Sequence, residues 1–334
     1  MKDAETGAEE RESATDPGGN PPLIAVVGCT AVGKTDFGIA LARWLGGEVI
    51  SADSRQVYRY MDIGTAKPTL EQRAAAPHHL VDVVDPHEEF SLARYQELAL
   101  GAMDEMRVRG HVPLLVGGTG QYVQAVLEGW QVPRVAPRRE LRAELAQTAE
   151  VHGAETLHRR LMEVDPAAAA AIGPANVRRM IRALEVYAVT GRPISEQQRK
   201  SPPPYHIYTL WLDMPRVELY ERIDRRVDLM IKAGLLDEVR ALLARGYSWD
   251  LPALSSLGYK EFRPWIDGTA ALPDCIQSLK WNTHAFARRQ TAWFKRLPHV
   301  HRVTAGPSLV ADVRQLLRDE GLVESDRAQP GGEI

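Results

Sequence analysis

A phosphate-loop motif near the N-terminus most constrains how this chain can fold. Residues 28–35 read GCTAVGKT and match the pattern G-x-x-x-x-G-K-[ST]. The apolar run at residues 23–27 is typical of a buried parallel strand, and residues 36–45 have the pattern of an amphipathic helix. This motif requires a strand before it and a helix after it, so the sequence predicts a true phosphate cradle.

The loop predicts binding of a di- or triphosphate. Backbone amides of such loops, with the N-terminus of the following helix, bind phosphate oxygens. Lys34 adds a positive charge, and the Thr35 hydroxyl can ligate Mg²⁺, which is therefore the expected cofactor. Cys29 is expected to contribute only its backbone. The predicted diphosphate-binding residues are Gly28, Thr30, Ala31, Val32, Gly33, Lys34 and Thr35.

Strand and helix patterns alternate along most of the chain. This order predicts βαβ units and an α/β fold, with a P-loop NTPase-like doubly wound parallel sheet. Strands are predicted at residues 23–27, 48–52, 79–84, 112–116, 206–212 and 300–303, and core helices at residues 36–45, 92–109, 219–245 and 273–296.

The chain divides into a core, an insertion and two tails. Residues 137–197 show helical patterns without a strand, which predicts a helical insertion between core segments 23–136 and 198–305. Residues 1–22 are acidic and rich in Gly and Pro, lack a signal-peptide pattern and predict a disordered tail. Residues 306–334 predict a C-terminal helix and a second tail.

Composition constrains how the chain can bind nucleic acid and in which compartment we expect it. The formal net charge is −3, so any RNA contact must come from local basic patches. Cys29 and Cys275 do not make a disulfide framework, which favours a cytoplasmic location. No apolar run is long enough to span a bilayer, so no membrane association is expected.

The phosphate loop alone does not select a reaction. A phosphohydrolase or kinase usually has an aspartate after an apolar strand to hold Mg²⁺, but residues 114–116 are followed by Gly-Gly-Thr. Asp53 and Asp85 follow other candidate strands. Asp53 could be a metal ligand, a base or both, and the residues by themselves leave this open. A small-molecule or nucleotide kinase is the alternative prediction.

Several further blocks resemble the signature of the tRNA dimethylallyltransferases. The resemblance runs from about residue 23 to residue 303 and is much more specific than the phosphate loop. Tyr60 departs from it, because glycine is usual there, and no zinc-finger tail is seen, which suggests a bacterial-type member. The blocks are DSRQVY at 53–58, MDIGTAKP at 61–68, GGTGQY at 117–122, RRMIRALEV at 178–186, RVDLM at 226–230, GL at 234–235, LGYKE at 257–261 and RRQTAWF at 288–294.

The resemblance implies a prenyl transfer. In such enzymes the N6 amine of the adenosine 3′ to the anticodon attacks dimethylallyl diphosphate, and diphosphate leaves. It implies that Asp53 is the general base, that Arg226 stabilises the leaving group, and that Thr119 contacts the diphosphate or the reacting centre. A second-shell Mg²⁺ role for Asp53 is the alternative.

The resemblance also implies a tRNA anticodon stem-loop as partner of a monomeric enzyme. Basic residues recur at helical spacing from residue 178, and residues 277–302 contain basic and aromatic residues without an acid. An RNA-binding protein with a degenerate loop is disfavoured, because Gly33, Lys34 and Thr35 are intact. The predicted tRNA-binding residues are Asp53, Ser54, Arg55, Gln56, Thr119, Arg142, Arg178, Arg179, Met180, Ile181, Arg182, Arg288 and Arg289.

Overall fold

The structure is a computed structural model that describes residues 19–323. The strands in this range are β1 (Pro22–Gly28), β2 (Gly47–Ser51), β3 (His78–His79), β4 (Val112–Gly117), β5 (His206–Asp213) and β6 (Val300–Thr304). They form one sheet in the order β3-β2-β4-β1-β5-β6, and every pair is parallel. The predicted α/β fold with a P-loop-like, doubly wound parallel sheet is confirmed.

Helices connect the strands and form the insertion. The core helices are α1 (Lys34–Leu45), α2 (Leu70–Ala75), α3 (Leu92–Val108) and α4 (Gly120–Leu127). The insertion contains α5 (Arg139–His152), α6 (Ala154–Val164), α7 (Pro166–Ile172), α8 (Val177–Thr190) and α9 (Ile194–Gln197). The later core helices are α10 (Arg216–Lys232), α11 (Leu235–Ala244), α12 (Arg263–Ile266), α13 (Leu272–Phe294) and α14 (Leu309–Asp319), and a short 3₁₀ helix covers Lys260–Phe262.

The central strand β1 is buried on both faces, as its uninterrupted apolar sequence requires. Successive side chains of a strand point to opposite faces. Ile24 and Val26 therefore join the cluster that contains residues of α1, α10 and α14. Leu23, Ala25 and Val27 join the cluster that contains residues of α3, α4 and the end of α13. Helices on both faces hold the strand ends in fixed positions.

Two predicted elements differ from the structure. The single helix predicted at residues 219–245 is wrong, because Gly234 adopts a φ of 98° and separates α10 from α11. A left-handed glycine ends one helix and starts another at little steric cost. The strand predicted at residues 79–84 is also wrong in extent. Only His78–His79 pair with β2, and Val84 forms an isolated bridge with Tyr58.

Among the described residues, 128–203 form one compact unit, and 19–127 with 204–323 form the other. The helical unit is wider at both ends than the predicted insertion of 137–197. Its base includes an antiparallel bridge between Trp130 and Lys200, which the helical pattern could not indicate. Its own apolar core draws on α5 to α9.

The predicted tails fall mostly outside the described range. β1 begins at Pro22, one residue before the predicted start of order, and α14 lies within the predicted C-terminal segment. Residues 1–18 and 324–334, which belong to the predicted disordered tails, lie outside the described residues. Within residues 19–323, none of the helices combines the length and apolar character that a membrane crossing requires.

Candidate active site

The phosphate loop joins β1 to α1 at the carboxyl edge of the sheet. Ala31 has a φ of 65° and Gly33 a φ of 102°, so both lie in the left-handed region. Such angles turn successive backbone amides toward one side, as in anion-binding nests. The first amides of α1 have no acceptor within the helix and add to this donor set. The side chain of Val32 is buried in the core, so only its backbone is available to a phosphate.

The ammonium group of Lys34 contacts the backbone of the phosphate loop. Its Nζ donates a hydrogen bond of 2.7 Å to the carbonyl oxygen of Cys29. Burial lowers the pKa of Lys34 to about 8, and the carboxylate of Asp53 acts in the opposite direction. A phosphate group at the loop would raise the pKa of Lys34 again, because an adjacent negative charge favours an ammonium ion.

Asp53 and Thr119 come from the ends of two neighbouring strands. Asp53 follows β2 and Thr119 follows β4, and these strands are paired at Ser51 and Val116. The Thr119 amide donates to the carbonyl of Ala52 over 3.0 Å, and the Ser54 amide donates to Thr119 Oγ1 over 3.0 Å. The carboxylate of Asp53 accepts the amide of Arg55 at 2.8 Å. The structure therefore brings these predicted residues together at one edge.

Arg226 extends from α10 toward the same charges. Burial lowers the pKa of its guanidinium, while the carboxylate of Asp53 raises it. Arg226 in turn lowers the pKa of Lys34, so both cations are within electrostatic reach of the acid and of each other. Repulsion between two cations is relieved when an anion binds between them.

Arg222 is a loop neighbour that the sequence analysis missed. A Cβ built on Gly33 would lie 3.7 Å from Arg222 Nη2, which places this guanidinium beside the N-terminus of α1. Arg222 precedes Arg226 by one helical turn, so the two share a face of α10. That spacing was the available signal, but it is equally typical of a solvated helix surface.

Hydrogen bonds within the protein fix the side chains of the segment after Asp53. Gln56 Oε1 accepts from Ser51 Oγ at 3.0 Å, and its Nε2 donates to the carbonyl of Ala66 at 3.1 Å. Arg55 Nη1 donates to the carbonyl of Pro252 at 2.8 Å. These bonds orient both side chains at the predicted RNA-reading segment. A direct contact of either residue with tRNA stays a prediction.

The backbone conformation of Tyr60 shows why glycine is usual at this position. It has a φ of 66°, a conformation that costs a bulky residue but not glycine. The guanidinium of Arg245 lies 4.2 Å from the centre of its ring, and Tyr247 stacks at 6.5 Å. These contacts help to offset the strain at this position.

In the helical unit, two of the predicted RNA-contacting arginines bind a buried acid. Glu185 is fully buried, and Arg142 binds both its oxygens at 2.7 and 2.8 Å. Arg182 donates to Glu185 at 2.6 Å and also to the carbonyls of Val135 and Pro133. These contacts give Arg142 and Arg182 structural roles in this unit.

The predicted contact of Met180 and Ile181 with tRNA is wrong for their side chains. Both were predicted to contact tRNA, but Met180 is fully buried and Ile181 is 9% exposed, within the apolar core of the helical unit. The basic block of α8 is amphipathic, and these two positions fall on its apolar face. Their side chains are therefore core residues and are not available to RNA.

Four other predicted RNA-contacting arginines are exposed. Arg178 and Arg179 lie in the first turn of α8 and make no ion pair within residues 19–323. Arg288 donates to Tyr220 OH at 3.1 Å, and Arg289 lies over the ring of Phe286. The two pairs belong to different compact units.

The fold and the site together define a class. A phosphate loop follows the central strand of a parallel sheet, and an acid, a threonine and half-buried cations gather at the same edge. This is a P-loop α/β protein with a carboxylate and two cations beside its phosphate loop.

Comparison with known proteins narrows this class. A family model described as "IPP transferase" matches residues 56–297, and one described as "Isopentenyl transferase" matches residues 21–76. A tRNA dimethylallyltransferase of Roseiflexus sp. (strain RS-1) is 62% identical over 287 residues, which cover 86% of this chain and 94% of that protein. The chain therefore belongs to the IPP transferase family.

Solved structures agree with this assignment. A tRNA isopentenylpyrophosphate transferase from Bacillus halodurans is 41% identical, with a TM-score of 0.68, over 90% of this chain and 96% of that one. A eukaryotic dimethylallyltransferase acting on tRNA is 28% identical, with a TM-score of 0.77, over 92% and 81% of the two chains. The predicted family and prenyltransferase activity are confirmed, and the kinase alternative is not favoured.

The ion pairs of Glu185 predict a pH-dependent contribution to stability. Burial by itself raises the pKa of Glu185, but hydrogen bonds from Arg142, the Arg138 amide and Arg182 lower it from 4.5 to about 2. A depressed pKa adds stability above about pH 4.5 that is lost as the pH falls toward 2. We expect Glu185→Gln to lower the free energy of unfolding by about 3 kcal/mol at pH 7.

Urea denaturation of both proteins between pH 7 and pH 3.5 measures this difference. It should be constant above about pH 5 and shrink below about pH 4.5. Glu196→Gln is the matched control, because its pair with Arg192 spans 4.0 Å on the surface. That change should cost less than about 0.5 kcal/mol. A difference for Glu185→Gln that does not vary with pH would show that the buried carboxylate is not stabilised by these arginines.

Proposed function

We propose that this enzyme transfers a dimethylallyl group from dimethylallyl diphosphate to N6 of the adenosine that lies 3′ to the anticodon in tRNA. The N6 nitrogen forms a bond to C1 of the donor, the C1–O bond breaks, and diphosphate leaves. The N6 proton passes to the carboxylate of Asp53. The observation that carries this proposal is the convergence of the phosphate loop, Asp53 and Arg226 at one sheet edge.

The charges of the site suit a departing diphosphate. Negative charge increases on the leaving group as the C1–O bond breaks, so donors aimed at it lower the barrier. The amides of the loop, Lys34 and Arg226 supply these donors, and Arg222 lies beside the same loop. Thr119 is held by the Asp53 segment, and we assign it a contact with the diphosphate or the reacting centre.

Mg²⁺ is the cofactor that these residues fit. Thr35 is in the first turn of α1, and its hydroxyl makes no side-chain hydrogen bond within residues 19–323. Mg²⁺ is commonly held by few protein oxygens together with substrate phosphates and water. Thr35 would hold the ion, and the ion would neutralise diphosphate charge when bound. Asp53 remains a candidate second-shell ligand as well as the proposed base.

Transfer should depend on the prenyl donor and not on ATP. Incubation with tRNA, dimethylallyl diphosphate and Mg²⁺ should add one dimethylallyl group to adenosine, measured by mass spectrometry of digested nucleosides. The reason is that β4 is not followed by the acid that nucleotide-hydrolysing P-loop proteins use. A matched reaction with ATP in place of the donor should give no modified nucleoside and no ADP. A strict requirement for ATP would instead favour a kinase.

If Asp53 is the base, its removal should slow chemistry without weakening RNA binding. We expect Asp53→Asn to lower kcat by roughly 10²–10⁴-fold, the usual contribution of a general base. The tRNA dissociation constant should change little. Asp213→Asn is the matched control, because Asp213 ends β5 at the same edge but forms an ion pair with Arg302. Recovery of the Asp53→Asn variant at high Mg²⁺ would mean that Asp53 is a metal ligand.

We further propose that Arg178 and Arg179 bind tRNA phosphates. Both are exposed and lie at the start of α8, whereas Arg142 and Arg182 are occupied by Glu185. An exposed arginine can neutralise a phosphate and release counterions, but one bound to a buried carboxylate would first have to leave it. Arg288 and Arg289, also exposed, form a second candidate patch in the other unit.

Salt titrations of tRNA affinity distinguish these arginines. Arg178→Ala and Arg179→Ala should each weaken binding and flatten the log–log salt slope by about 0.7, the single-strand value per phosphate contact. Arg160→Ala on α6 is the control and should leave the slope unchanged. Arg142→Ala and Arg182→Ala should lower the melting temperature. An unchanged slope for both Arg178→Ala and Arg179→Ala would place the RNA elsewhere.

The same proposal includes a monomer that works in the cytoplasm. Cys29 and Cys275 are free thiols, which supports a reducing compartment.

A further inference from the structure

The side chain of Gln290 spans two loops of the site. It lies on α13 and is only 6% exposed. Its Oε1 accepts the backbone amide of Thr30 at 2.9 Å, and its Nε2 donates to the carbonyl of Gly118 at 2.9 Å. Thr30 belongs to the phosphate loop, and Gly118 directly precedes Thr119. One buried amide therefore connects the two segments that carry the charge of Lys34 and the hydroxyl of Thr119.

The chemistry of the two partners determines the orientation of this amide. A backbone N–H requires an acceptor and a carbonyl requires a donor. With the Gln290 amide reversed, its NH₂ group would face the Thr30 N–H and its oxygen would face the Gly118 carbonyl, and neither pair could form a hydrogen bond. A carboxylate could serve only the Thr30 amide, and an apolar side chain could serve neither partner. The shorter side chain of asparagine could not reach both. Glutamine is thus matched to this span in length and in hydrogen-bonding groups.

The bridge extends across the strand ends. Gly118 leads into Thr119, whose amide donates to Ala52 and whose hydroxyl accepts from Ser54. Gln290 therefore connects the end of β1 with the turn after β4, and that turn is connected to the segment after β2. Gln290 therefore lies between the phosphate loop and the turn that contacts the segment after Asp53.

We propose that Gln290 is a positioning residue that sets the separation between the phosphate loop and the Thr119 turn during prenyl transfer. This inference rests on the proposed function. In an in-line displacement the diphosphate leaves at the C1 end of the C1–N6 axis and the proton at the N6 end, so the separation of the groups that hold them affects the alignment of the attacking nitrogen. Misplacement by about 1 Å can cost about 10²-fold in rate.

Steady-state kinetics of Gln290→Met and Gln290→Glu test this role. Methionine is similar in size and makes neither bond, and glutamate keeps only the bond from Thr30. We expect each change to lower kcat by about 10–100-fold, while KM for dimethylallyl diphosphate stays within about 3-fold. The dissociation constant of inorganic diphosphate, from titration calorimetry, should also stay within about 3-fold, because the loop amides and Lys34 remain.

Thr291→Val is the matched control. Thr291 follows Gln290, and its hydroxyl contacts Cys29 Sγ at 3.0 Å, so it packs on the same loop without reaching Gly118. The control should keep kcat within about 3-fold of wild type. Wild-type kcat in both Gln290 variants, an equal loss in Thr291→Val, or a loss confined to diphosphate affinity would each overturn the positioning role.

The wild-type reaction separates this inference from the proposed function. If the wild-type enzyme transfers no dimethylallyl group to tRNA, the proposed function and the positioning role are both rejected. If the wild-type enzyme does transfer the group, the kinetics of the variants test only the positioning role of Gln290. Diphosphate binding by Gln290→Met also confirms a folded loop, so a low kcat in that variant reports alignment and not unfolding.

Discussion

Close approach of the backbones where the strands end is the constraint on which this site depends. A Cβ on Gly28 would lie 2.6 Å from the carbonyl of Leu212, and one on Gly117 would collide with the carbonyl of Ala52. Only glycine lets β1 and β4 end this near to their neighbours. As a result the phosphate loop, Thr119 and Asp53 come from adjacent strands and need no long side chains to meet. Helices packed on both faces of the sheet then keep these ends from moving apart.

The charges at this edge suit a bound anion. Burial lowers the pKa of both Lys34 and Arg226, Arg226 lowers that of Lys34 further, and Asp53 raises both. A diphosphate at the loop would supply negative charge beside both cations, and an adjacent anion favours their charged forms.

The sequence predicted the sheet well because hydrophobic runs and a specific loop motif encode it locally. It predicted the structure less well where contacts between distant segments determine the conformation or the partner of a side chain. Six-residue α2 and eight-residue α4 are too short for a clear periodic signal, and the turn at Gly234 was hidden within a continuous helical pattern. The arginines of the helical unit share a spacing, but only the fold shows that Arg182 and Arg142 meet the buried Glu185. Gln290 has the helical spacing of the buried Ala287 and Phe294, but its polar side chain gives no reason to expect burial.

The turn after β4 helps to explain why this phosphate loop suits group transfer to an amine. In nucleotide-hydrolysing P-loop proteins an acid near the loop holds the metal. Here β4 leads into Gly118 and Thr119, and the acid follows β2 instead. This arrangement leaves the loop bordered by a hydroxyl and by backbone groups, with the carboxylate displaced by one strand. A carboxylate in this position suits the base role proposed for Asp53, because a nucleophile that approaches the donor carbon from that side would meet it.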